Sequence, residues 1–144
     1  MNSPVEQFTI KTLFELNLMG VDISFTNASL FMMLSIIGSA GFLYFGARKQ
    51  YLVPNRFQAL VEMSYEFVAN MVKENAGKGS QVYFPFIFTL FMFILFGNLL
   101  GMIPYSYTFT SQIAVTFTLA AIIFLGVTII ALFKHGFKFF TYFI

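Results

Sequence analysis

The sequence predicts an all-α polytopic membrane protein: three transmembrane helices plus one amphipathic interfacial helix, preceded by a small N-terminal helix/hairpin segment. Composition is the first reason. Of 144 residues, 58% are hydrophobic, 20% aromatic and only 10% charged, and mean hydropathy is +0.80. A soluble domain is about half apolar and about a quarter charged. Span length is the second reason. Residues 28–47, 83–103 and 113–133 contain no charge, and a bilayer core of about 30 Å needs about 20 apolar residues at about 1.5 Å rise each. The third is residues 54–75, where apolar side chains recur at helical spacing between charged ones.

Residues 1–27 form an external N-terminal segment. Ser3, Pro4 and Glu6 resemble a helix start. Two partly alternating runs, 12–18 and 21–26, flank Met19 and Gly20 and predict a hairpin. Thr26 or Asn27 is placed to cap the first span. That span is no cleaved signal peptide: it starts late, follows acidic residues, and is followed by Arg48 and Lys49. Its small residues Ser35, Gly38, Ser39 and Gly41 predict close helix packing.

In residues 54–75, Phe57, Leu60, Val61, Tyr65, Phe67, Val68, Met71 and Val72 make one broad apolar face, and Glu62, Glu66, Asn70 and Lys73 fall opposite. Pro54 suits a first helical position, and Gly77 a stop. The helix reads as lying in the cytoplasmic membrane interface. Packing on partner subunits is the second reading, and the two are compatible.

Pro104 ends the second span, and the linker to the third, 104–112, is uncharged and short. The two spans are therefore expected to pair as an antiparallel hairpin whose polar ends meet at the outer leaflet. Asn98 on one side, and Ser111, Gln112 and Thr116 on the other, are the candidate site residues. An amide in hydrocarbon is costly unless satisfied. Either these groups bond between helices and cap the hairpin, or they line an aqueous cavity that opens outward. Residues 134–144 form a cytoplasmic-side tail in which His135 sits between Lys134 and Lys138, as an interface anchor or, less simply, a proton relay.

Basic residues set orientation. Lys11 alone precedes the first span, whereas Arg48, Lys49, Arg56, Lys73, Lys78, Lys134 and Lys138 lie on the opposite side. The N-terminus is thus outside and the middle loop and tail cytoplasmic. The chain has no cysteine and one histidine, which excludes disulfides, thiolate metal sites and bis-histidine haem. No cofactor, metal or nucleic acid is expected, and no enzyme activity for the chain on its own. With no acid, base or cation inside any span, the chain does not complete an ion path alone.

Residues 84–120, FPFIFTLFMFILFGNLLGMIPYSYTFTSQIAVTFTLA, resemble subunit a of the membrane sector of ATP synthase, with its Asn-Leu-Leu-Gly-x-x-Pro run and the Thr-Ser-x-Ile helix start that follows. SPVEQFTI (3–10), GVDISFTNASLFM (20–32), LVPNRFQALVEMSYEFVANMV (52–72) and FKHGFKFF (133–140) are similar to its alphaproteobacterial and mitochondrial branch. The resemblance implies a protein of the bacterial or mitochondrial inner membrane that forms proton half-channels beside a ring of c subunits and couples proton flow to ATP synthesis. It implies c-ring subunits, b-type peripheral stalk subunits and the lipid bilayer as partners, with protons as the transported ion. It places Asn98, Ser111, Gln112 and Thr116 near the external half-channel, and Glu62, Glu66 and Asn70 near the stalk. The family's ring-facing helices and their arginine have no counterpart here, so the chain reads as the family's N-terminal portion. Two other readings remain: a membrane-anchor subunit of a respiratory complex, and a non-conducting packing remnant of subunit a.

Overall fold

The computed structural model describes residues 10–15, 17–18, 21–22, 24–48, 54–77, 79–104 and 106–136. The expected helix start at Ser3, the Met19-Gly20 turn and residues 137–144 of the tail lie outside them. The chain forms two compact units, Met1–Phe109 and Thr110–Ile144.

The first unit opens with four short strands: β1 (Thr12–Phe14), β2 (Asn17–Leu18), β3 (Val21–Asp22) and β4 (Phe25–Thr26). β2 pairs antiparallel with β3, Leu18 opposite Val21, and β1 pairs antiparallel with β4. The hairpin ends directly in helix α1 (Asn27–Ala47). Thr26 is the cap, its hydroxyl accepting from the Ser29 N–H at 3.4 Å. Asn27 has a different task. Its N–H donates to the Lys11 carbonyl at 3.0 Å, and its Oδ1 accepts from the Lys11 N–H at 3.2 Å. This two-way bond fastens the residue before β1 to the start of α1.

α2 (Arg56–Ala76) begins two residues after Pro54, because the Asn55 side chain caps it by accepting from the Arg56 N–H at 2.7 Å. It ends at Gly77, whose φ of +67° is open to glycine and whose N–H closes onto the Lys73 carbonyl. A single 3-10 turn, Ser80–Val82, leads into α3 (Phe84–Gly101). α3 stops before Ile103, the end expected from hydropathy, since a residue preceding proline disfavours helical ψ and Pro104 cannot donate.

α1, α2 and α3 pack on one another in every pairing. The core is a layer of Val68 and Val72 from α2 against Phe88 and Met92 from α3, edged by Phe42, Leu43 and Phe96. Rings tie the layer together: Tyr65 meets Phe84 edge-on at 4.7 Å between centroids, and Phe42 meets Phe57 at 5.2 Å. The broad apolar face of α2 is used only in part. Val68 and Val72 are buried, while Leu60, Met63, Phe67 and Met71 stay exposed along an adjoining stripe. The small residues of α1 also divide. Ser35 is fully buried with its hydroxyl donating to the Phe31 carbonyl, and Gly38 faces Phe96. Gly41 has nothing near it, and the closest approach is instead at Gly46, against Val61 of α2.

Among its described residues the second unit is one helix, α4 (Ile113–His135), entered through a 3-10 turn and ended by Gly136. It is apolar on every side. α1, α3 and α4 are each long and apolar enough to cross a membrane, and helices hydrophobic all round need either a large protein core or lipid.

Candidate functional site

The polar candidates sit at the end of α3 and the beginning of α4. Asn98 lies in the last turn of α3 on its exposed side, and its Nδ2 donates to the Ile94 carbonyl at 2.9 Å. That bond folds the amide against its own helix, which lowers the cost of placing it in an apolar span. The adjacent Gly97 is buried, so the helix turns its packed side and its amide side in different directions within one residue.

Beyond α3 the chain doubles back. Met102 N–H closes on the Asn98 carbonyl, and Thr108 Oγ1 donates to the Gly101 carbonyl at 3.2 Å. Tyr107 and Phe109 are buried at 3% and 0% exposure, against Phe31 of α1 and Phe93 of α3. This plug under the Asn98 turn is absent from the hydropathy pattern, where 104–112 reads simply as an uncharged linker. The aromatic residues at 107 and 109, two apart in a polar stretch, are the signal that could have revealed it.

In the second unit, Ser111 closes the 3-10 turn and is exposed. Gln112 precedes the first residue of α4 in extended backbone, and its carboxamide does not cap the helix. Thr116, one turn on, donates to the carbonyls of Gln112 at 3.0 Å and Ile113 at 3.2 Å. Gln112 and Thr116 are thus brought together, as their spacing predicts. Only Gln112 keeps its side chain for outside groups, because the Thr116 hydroxyl proton is spent on its own helix.

Glu62, Glu66 and Asn70 are one turn apart along α2, all exposed and away from Val68 and Val72. Gln58 Nε2 donates to Glu62 Oε1 at 2.7 Å, so one of the two carboxylates is already engaged. Among the described residues, no group of three or more His, Cys, Asp or Glu could hold a metal ion.

Residues 27–144 match the model of the ATP synthase A chain family. The chain belongs to that family. It is 53% identical over 143 residues to ATP synthase subunit a of Rhodospirillum rubrum, covering 99% of this chain and 59% of the relative. Subunit a of Rhizobium etli is 52% identical over 143 residues, with 57% of it covered. That of Agrobacterium fabrum is 50% identical over 139 residues, 96% of this chain and 56% of the relative. The chain therefore spans under three-fifths of the length of these curated relatives. Family membership and the three apolar helices together make this A chain family member an integral, multi-pass membrane protein. The matched region takes in all four helices, and with them every candidate residue on α2, α3 and α4.

Proposed function

We propose that the chain serves as subunit a of the membrane sector of an F-type ATP synthase, in a bacterial or mitochondrial inner membrane. There it forms proton half-channels beside the c-ring and couples proton flow to ATP synthesis. The observation that carries this reading is the 53% identity, sustained over 143 residues, to a protein of that name.

Within that role, Asn98, Ser111, Gln112 and Thr116 line the outer inlet. None of them titrates near neutrality, so none carries the proton itself. Amides and hydroxyls in a low-dielectric wall hold water by donating and accepting hydrogen bonds, and the water conducts. No charged residue lies within the three spans, so the charge-bearing step at the ring is not assigned to this stretch. The N-terminus lies outside and the α2 side faces the cytoplasm or matrix, in keeping with the distribution of basic residues. Glu62 and Glu66 face the b-type peripheral stalk, and Asn70 ends that stripe one turn before Lys73.

The test is an Asn98→Leu change in the full-length protein, read as ATP-driven acidification of inverted membrane vesicles. Slower pumping with normal assembly is expected. Unchanged pumping removes Asn98 from the inlet. Failure of the chain to copurify with the c-ring and stalk removes the subunit role altogether.

A further inference from the structure

We propose that the groove between the end of α2 and the start of α3 holds the phosphate-bearing headgroup of an anionic phospholipid. The groove encloses about 680 Å³, within the range of about 300–1,000 Å³ usual for small-molecule sites. Its polar wall is Asn70, Lys73, Ser80 and Gln81, and its apolar wall includes Tyr65 and Phe84. Among the described residues no carboxylate lines it, and Lys73 has no ion-pair partner. A lysine ammonium offers three donors, and the two carboxamides add neutral ones, a set that suits phosphate oxygens.

The turn that frames the groove is held in shape. Ser80, 4% exposed, donates its hydroxyl to the Gly77 carbonyl at 2.8 Å. Gly77 and Gly79 both take positive φ, +67° and +103°. The location selects a lipid over a soluble anion. Phe84 is the first residue of the apolar α3, so the Tyr65–Phe84 wall stands at the hydrocarbon edge with Lys73 on the polar side of it. A headgroup enters such a site with its phosphate on the ammonium and its glycerol and upper acyl carbons on the rings. The assignment needs only that α3 spans a bilayer, and it stands apart from the proton-path reading.

The test reconstitutes the full chain into vesicles of equal parts phosphatidylglycerol and phosphatidylcholine, extracts it gently, and counts retained lipids by native mass spectrometry. Phosphatidylglycerol is expected to be retained over phosphatidylcholine by about fivefold, the scale of one lysine beside a phosphate whose charge no choline offsets. Lys73→Gln is expected to abolish most of that preference, Lys73→Arg to keep it, and Arg56→Gln, on the same helix outside the groove, to leave it intact. Equal retention of the two lipids by the unaltered chain overturns the proposal, whatever the variants do. So does displacement of phosphatidylglycerol by millimolar inorganic phosphate that itself binds the lipid-free protein, which marks a free-anion site. Crosslinking from position 73 to a polypeptide rather than to lipid, in the complex purified from native membranes, overturns it as well.

Discussion

The tip of the Phe109 ring stands against Gly97: a Cβ added at Gly97 would collide with Phe109 Cζ and come within 2.7 Å of its Cε1. Phe109 is fully buried, and its ring is also 5.2 Å from that of Phe93 between centroids. The glycine is thus the floor of the plug that closes the end of α3. Gly97→Ala forces the ring out of place, with an expected loss of about 1–3 kcal/mol, the usual cost of overpacking. Gly41→Ala and Gly126→Ala meet nothing within 4 Å and gain helix propensity. Thermal unfolding in detergent separates the cases: a lower Tm for Gly97→Ala and an unchanged or higher Tm for the other two.

A second tight contact joins α1 to α2. A Cβ at Gly46 would approach Val61 Cβ to 2.9 Å. Gly46→Leu is expected to push α2 away from α1, raising hydrogen exchange across residues 56–68. Adding Val61→Ala to Gly46→Ala opens room and should restore protection in part, so the double variant should be less perturbed than the two single changes sum to. Additive effects would show that the two residues do not share one packing site.

The helices and their apolar character were legible because span length and missing charge are local properties. Helix ends were legible where one residue type decides them, as at Gly77, and misjudged where hydropathy ran on past a stop, as at Met102 and Ile103. Packing partners were not legible. Ser35, Gly38, Ser39 and Gly41 form a plausible small-residue stripe, but Gly41 faces open space while Gly46, outside the stripe, makes the closest approach. Which face of an all-apolar helix meets protein depends on its neighbours, and nothing in its own pattern records that. For the same reason α2 shows one broad apolar face in sequence but buries only the Val68–Val72 edge. Of the candidate residues, the types and the one-turn spacing of Gln112 and Thr116 are what the sequence records. That Thr116 bonds back to its own helix, and that Tyr107 and Phe109 turn under α3, required coordinates.

Asn27 predicts a local effect in the N-terminal segment. Its side chain and backbone both bond to Lys11, across 16 residues. Asn27→Ala removes the side-chain half of that link together with the bond that Oδ1 accepts from the Ala28 N–H at 2.9 Å, and leaves the Thr26 cap on Ser29. The expected cost is about 1–3 kcal/mol, that of two hydrogen bonds, confined to Lys11 and the first turn of α1. Amide exchange at Lys11 should accelerate while that of Phe31 to Phe45 in α1 does not change. Acceleration throughout α1 would mean that Asn27, rather than Thr26, is the effective cap.

Gln112 and Thr116 sit one turn apart at the start of α4, yet they should behave differently if the inlet reading holds. The Thr116 hydroxyl already donates to the Gln112 and Ile113 carbonyls. Its donor is satisfied within the helix, and Thr116→Val replaces it with a group of similar shape, so ATP-driven proton pumping in vesicles should fall by less than about twofold. The Gln112 carboxamide leaves the helix N–H groups uncapped and can instead order water. Gln112→Leu replaces the carboxamide with an apolar side chain one atom shorter and removes both donor and acceptor, so pumping should fall by about tenfold, the loss of roughly one hydrogen-bonded water contact in a low-dielectric wall. The measurement is the initial rate of vesicle acidification, normalised to assembled complex. A larger loss from Thr116→Val than from Gln112→Leu would assign the inlet to the hydroxyl face of α4 and take Gln112 out of the path.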